Sequence, residues 1–126
     1  MLLKGALCLL PFSFAELDDP NLHLSYFHQD KTIRPAGNPN YCLSATNKRH
    51  NFVKLQHCTS GDFQKFKYDA ETGLISSSVP EDSWYYNRCF RFTSGKLVTV
   101  ANCDATDENQ QFTFDLGMIK YRKLNP

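Results

Sequence analysis

The sequence predicts an all-β domain built from repeated units of about four short strands each. Apolar and polar side chains alternate at Val53-x-Leu55 and again at Val98-x-Val100, which is the period-2 pattern of half-buried strands. No window has the sustained 3.6-residue pattern of an amphipathic helix. A cysteine followed by Gln, any residue and Phe occurs twice, and the two glutamines are 46 residues apart. A period of this length is typical of internal repeats.

The composition is that of one globular domain. The chain has 126 residues, of which 41% are hydrophobic and 21% are charged. This is enough for one core and too little for two domains of ordinary size. Ten Phe, six Tyr and one Trp supply large side chains of the kind that a β-sheet buries. The formal net charge of +1 gives no basis for binding to nucleic acid or to a membrane surface.

The first element of the chain is a predicted signal peptide at residues 1–15. It has Lys4 near the start, an apolar run through Leu10, and small residues at Ser13 and Ala15, the two positions that signal peptidase recognises. We therefore expect cleavage after Ala15 and a secreted, extracellular protein. The alternative is that these residues form a hydrophobic strand of the fold. The apolar run is shorter than the roughly 20 residues of a transmembrane helix.

The cysteine pairing is predicted from the repeat. Cys8 lies in the predicted signal peptide, which leaves four of the five cysteines in the mature chain. Four cysteines allow three connectivities. The repeat favours one bridge in each unit, Cys42 with Cys58 and Cys89 with Cys103, and each closes a loop of about 15 residues worth roughly 3 kcal/mol. A metal site is poorly supported, since no C-x-x-C pair occurs and the histidines lack ligand spacing with the cysteines.

The two repeated units correspond over most of their length. Each starts with Cys and an apolar residue, continues through the alternating strand to a second Cys, and then reaches Gln-x-Phe. Polar, turn-forming segments, ATNKRHN in one unit and TSG in the other, separate the strands. The repeated residues are Cys42, Cys58, Gln64 and Phe66 in the first unit and Cys89, Cys103, Gln110 and Phe112 in the second.

This combined motif resembles the Gln-x-Trp repeat of ricin-B-type (R-type) lectin domains, a family that includes the cysteine-rich domain of mannose-receptor proteins. The resemblance covers residues 41–121 and implies a β-trefoil, a fold of three lobes. It also implies that Gln64 and Gln110 satisfy backbone groups at a strand bend, and that Phe66 and Phe112 fill the core. Burial of such a ring contributes roughly 1.5–3 kcal/mol, so the motif needs no ligand to explain it.

The first lobe of the expected trefoil is abbreviated. Tyr26 aligns with Phe112 and Ile33 with Ile119, and no cysteine or alternating strand precedes them in the mature chain. Either this lobe is degenerate, or the chain is a fragment, or a second copy completes the barrel. We expect the segment NLHLSYF to form a strand that partly fills the gap, and the incomplete lobe to favour a homo-oligomer or another partner. The expected parts of the domain, residues 16–126, are a partial lobe at 16–40 and complete lobes at 41–87 and 88–126.

The resemblance also identifies where sugar-binding lobes carry their ligand-binding residues. These are an Asp shortly after the first Cys, an aromatic residue two positions before the second Cys, and an Asn or Asp before the repeat Gln. Only Asn109 matches, so galactose binding of the usual kind is not expected in either lobe. The residues at the three positions are Ser44, Gln56 and Phe63 in the first complete lobe and Arg91, Ala101 and Asn109 in the second.

An aromatic loop is a second predicted binding surface. The segment from Leu74 to Cys89 contains an insertion relative to the segment from Ile33 to Cys42. Loops on a rigid β scaffold often bind ligands, and Trp and Tyr suit a sugar face or a protein partner. The same side chains could instead cover the barrel end, because large aromatic residues are usually buried. The inserted aromatic residues are Trp84, Tyr85 and Tyr86.

Two functions from different classes follow from these observations. The first is a secreted carbohydrate-binding module that recognises a glycan or glycoprotein through a non-standard site near Asn109, Arg91 or the aromatic loop. The second is a secreted β-trefoil module that binds an extracellular protein, as an inhibitor, toxin component or matrix protein would, without lectin activity. Catalysis is not expected, since no G-x-S-x-G elbow, H-E-x-x-H helix or phosphate-binding glycine-rich loop occurs. No cofactor and no metal are expected.

Overall fold

The computed structural model describes seven segments of the chain, which contain ten β-strands and two short 3₁₀ helices. The predicted signal peptide and the aromatic loop residues Trp84, Tyr85 and Tyr86 lie outside these segments. The described residues are 24–35, 37–45, 52–79, 87–93, 96–100, 102–115 and 118–121. The strands are β1 (Leu24–Phe27), β2 (Thr32–Pro35), β3 (Tyr41–Ala45), β4 (Val53–His57), β5 (Phe66–Tyr68), β6 (Ile75–Ser77), β7 (Cys89–Thr93), β8 (Lys96–Val100), β9 (Phe112–Asp115) and β10 (Met118–Tyr121). The 3₁₀ helices are Asp62–Gln64 and Glu108–Gln110.

The named strands pair antiparallel and form three sheets. Their orders are β2-β1-β10-β9, β3-β4 and β5-β6-β7-β8. Strand β1, the described part of the expected NLHLSYF strand, pairs with β10 as well as with β2, and Leu24 lies opposite Ile119. The first hairpin therefore joins the last one, so the two ends of the domain share a sheet. The all-β prediction is confirmed.

Three hairpins, β1–β2, β5–β6 and β9–β10, are equivalent in the three lobes, and their registers correct the sequence alignment. The predicted match of Tyr26 with Phe112 is wrong by two residues, and Leu24 instead takes the position of Phe66 and Phe112. The reason is loop length, since the paired positions are seven residues apart in the first two hairpins and five apart in the last. The opposed residues are Tyr26 and Ile33, Tyr68 and Ile75, and Phe114 and Ile119. Ile75, and not Leu74, is therefore the residue equivalent to Ile33, so the insertion before Cys89 lies between Ile75 and Cys89.

Aromatic rings form the centre of the core. Phe66, Phe90 and Phe112 are fully buried, and the centroids of the Phe66 and Phe90 rings are 4.8 Å apart. Phe92 lies 6.0 Å from Phe112 by the same measure. These separations lie in the range of favourable aromatic pairs. The aliphatic residues of the same core are Leu24, Ile33, Leu43, Ala45, Val53, Leu55, Ile75, Val79 and Leu97, which come from every lobe.

Successive lobes are joined by the same pair of hydrogen bonds. The hydroxyl of Tyr26 donates to the carbonyl of Phe66 at 2.7 Å, while the Phe66 N–H donates to the carbonyl of Lys31 at 2.9 Å. In the next lobe Tyr68 donates to Phe112 at 3.1 Å, and the Phe112 N–H donates to the residue equivalent to Lys31, which is Gly73, at 2.9 Å. Residues that make the same contact therefore occupy equivalent positions in successive lobes, so their chemistry can be compared directly.

Both predicted disulfides are confirmed. The Cα atoms of Cys42 and Cys58 are 5.1 Å apart, and those of Cys89 and Cys103 are 5.2 Å apart. Each bridge ties the first strand of a complete lobe to the residue that follows the alternating strand. Because the following turn carries the predicted site residues, the bridges also hold that turn against the sheet.

Candidate functional site

The repeat glutamine fixes the turn that follows the second cysteine of each complete lobe. In the first complete lobe the amide of Gln64 donates to the carbonyl of His57 at 2.9 Å, and its oxygen accepts from the N–H of Thr59 at 2.8 Å. These two backbone groups flank Cys58. Gln64 is buried, so its hydrogen bonds satisfy polar groups that water does not reach.

Gln110 makes the same clamp in the second complete lobe. Its amide donates to the carbonyl of Asn102 at 3.2 Å, and its oxygen accepts from the N–H of Asp104 at 3.0 Å. The 3₁₀ helix Glu108–Gln110 ends at this clamp, and Asp107 caps its start by accepting from the N–H of Asn109 at 2.9 Å. The clamp therefore positions Asp107 and Asn109 beside strand β7.

Arg91, on β7, completes a polar cluster with Asp107. Its Nε donates to Oδ2 of Asp107 at 2.7 Å, and its Nη1 donates to the hydroxyl of Thr93 at 2.7 Å. The Asp107 oxygen also accepts from the amide of Gln110 at 3.2 Å. The side chains of Arg91 and Asp107 are 29% and 20% exposed, so a ligand in solvent can reach both. We call Arg91, Asp107 and Asn109 the polar cluster.

The charges of the polar cluster are held in place by hydrogen bonding. The hydrogen bond from Arg91 lowers the pKa of the Asp107 carboxyl, and this effect outweighs the opposing effect of partial burial. The carboxylate therefore remains charged at neutral pH and presents oriented acceptor oxygens. Within the described residues, Nη2 of Arg91 has no hydrogen-bond acceptor, so it can donate to a ligand. A carboxylate next to a guanidinium can bind neighbouring hydroxyls of a sugar as acceptor and donor.

The equivalent positions in the first complete lobe have different chemistry. Ser44 is 3% exposed and lies in the core-facing part of β3. Phe63 is 40% exposed and is the large hydrophobic side chain most open to solvent among the described residues. Gln56, at the end of β4, is exposed. At these positions the first complete lobe exposes Phe63 and Gln56, whereas the second has the charged side chain of Arg91 bonded to Asp107.

The structure brings together two of the predicted ligand-binding residues and adds a third. The side chain of Arg91 and the backbone N–H of Asn109 both donate to Asp107, a residue that the sequence did not single out. Its signal in the sequence is an Asp three residues before the repeat Gln, at the N-cap of the 3₁₀ helix. Trp84, Tyr85, Tyr86 and Ala101 lie outside the described residues, so their part in a site stays a prediction.

The described segments contain neither a cluster of metal-binding side chains nor a helix suited to crossing a membrane. No group of three or more His, Cys, Asp or Glu side chains there is arranged to hold a metal ion. None of the helices in those segments has the length and apolar character that crossing a membrane requires.

Comparisons with known proteins agree with this architecture. The family model described as "Ricin-type beta-trefoil lectin domain" matches residues 18–112. Among solved structures, the chain is similar to the "Crystal structure of GalNAc-T7 with UDP, GalNAc and Mn2+", with a TM-score of 0.53 and 15% sequence identity. The match covers 69% of this chain and 14% of that one, so it supports the fold alone. A comparison with curated protein sequences finds no match.

The repeated lobes and their clamped turns define a β-trefoil binding module. The chain belongs to the ricin-type β-trefoil lectin family, because the family match spans more than half of its length. The β-trefoil that the family resemblance implied is confirmed. A lectin domain of this family is a carbohydrate-binding module and not a catalytic domain.

Proposed function

We propose that this chain is a secreted carbohydrate-binding module whose non-standard site is the polar cluster of Arg91, Asp107 and Asn109. One observation carries the proposal. A partly exposed, hydrogen-bonded ion pair joins Arg91, at the position where sugar-binding lobes of the family place an Asp, to Asp107, two residues before the position of their Asn or Asp. In those lobes the carboxylate comes from the strand after the first Cys. Here the strand supplies Arg91, and the turn supplies the carboxylate of Asp107.

The exchange of roles keeps the chemistry that a saccharide needs. Sugar hydroxyls are both donors and acceptors, so they match a carboxylate next to a guanidinium. The N-cap bond to Asn109 and the contact with Gln110 hold Asp107 in one orientation, which reduces the entropy lost on binding. Arg91 is held in the same way by Thr93. The site therefore supports hydroxyl recognition without the stacking residue, which is replaced by Ala101.

Secretion is part of the same proposal. Residues 1–15 have the features of a signal peptide, and the family match begins downstream of them, at residue 18. The two disulfides are compatible with an oxidising compartment. Expression with and without residues 1–15 in a secretory cell tests this directly. Intracellular retention of the full chain would contradict it.

The binding test uses a glycan array followed by calorimetry with the best neutral glycan. Asp107→Asn keeps the N-cap acceptor and removes the ion pair, so we expect an affinity loss of about tenfold or more without loss of folding. Asp69→Asn is the matched control, because Asp69 caps the β5–β6 turn through the N–H of Glu71. The proposal fails if no glycan binds, or if Asp107→Asn binds as tightly as the unmodified chain.

A protein-interaction module is the second candidate, and one observation favours it. Phe63 is exposed at a position where sugar-binding lobes of the family carry Asn or Asp. An exposed aromatic side chain is typical of protein hot spots. Capture of a partner from extracellular fluid that survives sugar competition and is lost in Phe63→Ser would support this function. Capture that free sugar abolishes would favour the lectin function.

A further inference from the structure

A groove runs between the partial first lobe and the first complete lobe, away from the polar cluster. Its volume is about 670 Å³, which is within the size range of small-molecule sites. One wall comes from the β1–β2 turn and strand β2, including Lys31 and Arg34, and the other from the segment that follows Cys58, including Asp62 and Lys65. Ser44 and Phe63, at the family sugar positions, do not line it. We call this space the interlobe groove.

Arg34 lines the interlobe groove, and several contacts fix its side chain in position. Its guanidinium donates to the Thr32 hydroxyl at 2.9 Å, to the Pro39 carbonyl at 2.8 Å and to the carboxylate of Asp30. It also lies over the ring of Phe27, 4.9 Å from the centroid. Arg34 and Asp30 therefore neutralise each other in an ion pair. They present a fixed polar surface to a ligand and do not supply a free charge.

Lys31 and Lys65 also line the groove, and neither forms an ion pair with a carboxylate of the described residues. The Nζ of Lys31 lies 3.5 Å from the Ser78 hydroxyl, across the groove. The carbonyl of Lys65 accepts from the N–H of the same Ser78 at 2.9 Å, which places Lys65 beside it. Asp62 also lines the groove and is exposed, so its carboxylate can accept a hydrogen bond from a ligand hydroxyl.

Comparison with the next lobe shows that the cations are not required by the fold. The residue equivalent to Lys31 is Gly73, and the residue equivalent to Lys65, which also precedes the core Phe, is Gln111. Lys31 has a φ of 63°, in the left-handed region that Gly73 occupies with a φ of 80°. Glycine takes this conformation without steric cost, whereas a lysine does not. The backbone thus gains nothing from a lysine at position 31.

We propose that the interlobe groove is a second binding site, for an acidic saccharide that carries one sulfate or carboxylate group. The acidic group lies between Lys31 and Lys65. The sugar hydroxyls reach Asp62, Ser60 and Ser78, which line the same space. Two lysine residues that line one groove favour an anion by charge-assisted hydrogen bonding. The carboxylate of Asp62 disfavours a free inorganic anion and favours a ligand that also has hydroxyls. This site goes beyond the proposed function, because it uses none of the residues of the polar cluster.

The test measures binding of three probes to the full chain by calorimetry and by amide chemical shifts. The probes are methyl glucuronide, sulfated glucose and uncharged methyl glucoside, with inorganic sulfate as a further arm. The double variant Lys31→Gly, Lys65→Gln copies the residues at the equivalent positions of the next lobe, so we expect the fold to tolerate both. Lys67→Gln is the control for charge, because Lys67 is two residues from Lys65 and lines a different pocket, so its loss lowers the net charge without changing the interlobe groove.

We expect at least one acidic sugar to bind and to shift the amides of Ser60 and Ser78, with an affinity about tenfold or more above that of methyl glucoside. The double variant loses that preference, and Lys67→Gln keeps it. Raising NaCl from about 50 to about 300 mM lowers the affinity for the acidic sugar and does not change the affinity for the neutral one. The proposal is overturned if neither acidic sugar binds, if inorganic sulfate binds as tightly, or if Lys67→Gln loses as much affinity as the double variant. Asp107→Asn leaves this binding unchanged, so failure of one proposal is distinguishable from failure of the other.

Discussion

The two complete lobes share their framework and differ in the chemistry that the framework presents. In both lobes a buried Gln clamps the backbone on either side of the second Cys, and a fully buried Phe follows two residues later. At the turn before the Gln, however, the second complete lobe has the Arg91–Asp107 pair. The first has Phe63 open to solvent. The difference shows that the repeat determines where a site can be, while single residues beside it determine what the site can bind.

The hairpin β1–β2, in the lobe predicted to be partial, extends this comparison. It has Leu24 in the position of the core Phe. Because its Tyr26 bonds to Phe66 in the same way as Tyr68 bonds to Phe112, this hairpin supports its neighbour as β5–β6 supports the next lobe. Burial of Leu24 and its pairing with β10 show that this hairpin is joined to the last lobe within the chain. Self-association stays a prediction, and light scattering over a range of concentrations tests it.

The largest expected effect tests whether the shared framework is equally important in both lobes. Phe66→Ala and Phe112→Ala should each lower the free energy of unfolding by about 3–5 kcal/mol, because each deletes a fully buried ring. Urea denaturation followed by fluorescence measures the loss. Phe63→Ala, which truncates an exposed ring in the same segment, should change the stability by less than about 0.5 kcal/mol. Similar losses for Phe63 and Phe66 would contradict the assignment of the repeat Phe to the core.

A smaller effect tests the equivalence of Lys31 and Gly73. Gly73→Lys should destabilise the chain by about 1 kcal/mol, since a side chain is strained at a φ of 80°. Lys31→Gly should be neutral or stabilise by up to about 1 kcal/mol, because it relieves the same strain. Thermal unfolding of the two variants measures both changes. Lys31→Ala keeps the strain and serves as the control, so a gain in Lys31→Ala equal to that in Lys31→Gly would refute this explanation.

The smallest expected effect tests the chemistry that distinguishes the second complete lobe. The pKa of Asp107 is lowered in the folded chain, chiefly by the hydrogen bond from Arg91. Its contribution to stability is therefore present above the unfolded pKa of about 4 and is lost as the pH falls through the lower folded value. Because solvent reaches the pair, we expect less than about 1 kcal/mol at pH near 6.

Unfolding measured between about pH 6 and pH 2 isolates this contribution. The difference in stability between the unmodified chain and Asp107→Asn should decrease as the pH falls below about 4. In an Arg91→Gln background the same Asp107→Asn comparison should show a smaller decrease, because the donor that chiefly lowers the pKa of Asp107 is missing. A difference that is independent of pH would mean that Asp107 acts only as an N-cap.

Particular residues show how far the sequence could be interpreted. The spacing of Cys58, Gln64 and Phe66, repeated later in the chain, was sufficient to predict repeated all-β units and both disulfides, because these features depend on local periodicity and on the repeat. The β-trefoil was implied by the resemblance of this motif to a known family. The match of Tyr26 with Phe112 was wrong because hairpin loops differ in length without changing the pairing. Asp107 was missed because its role depends on the geometry of the turn and on contact with Arg91, which is 16 residues away in the sequence.

The sequence by itself determined the all-β class, the repeated units and the cysteine pairs, and its resemblance to a known family identified the sugar positions. The alternation of apolar and polar residues can be recognised along the chain because each strand buries one face, and the repeat of the motif relates one pair of cysteines to the other. Only the tertiary structure decided which charges meet. Lys31 and Lys65 share a groove because the Phe66 N–H binds the carbonyl of Lys31 and brings two lobes into contact. Arg91 contacts Asp107 because the buried Gln110 fixes the turn that carries Asp107. Electrostatic and hydrogen-bond interactions act over a few ångströms in space, and distance along the chain does not report that separation.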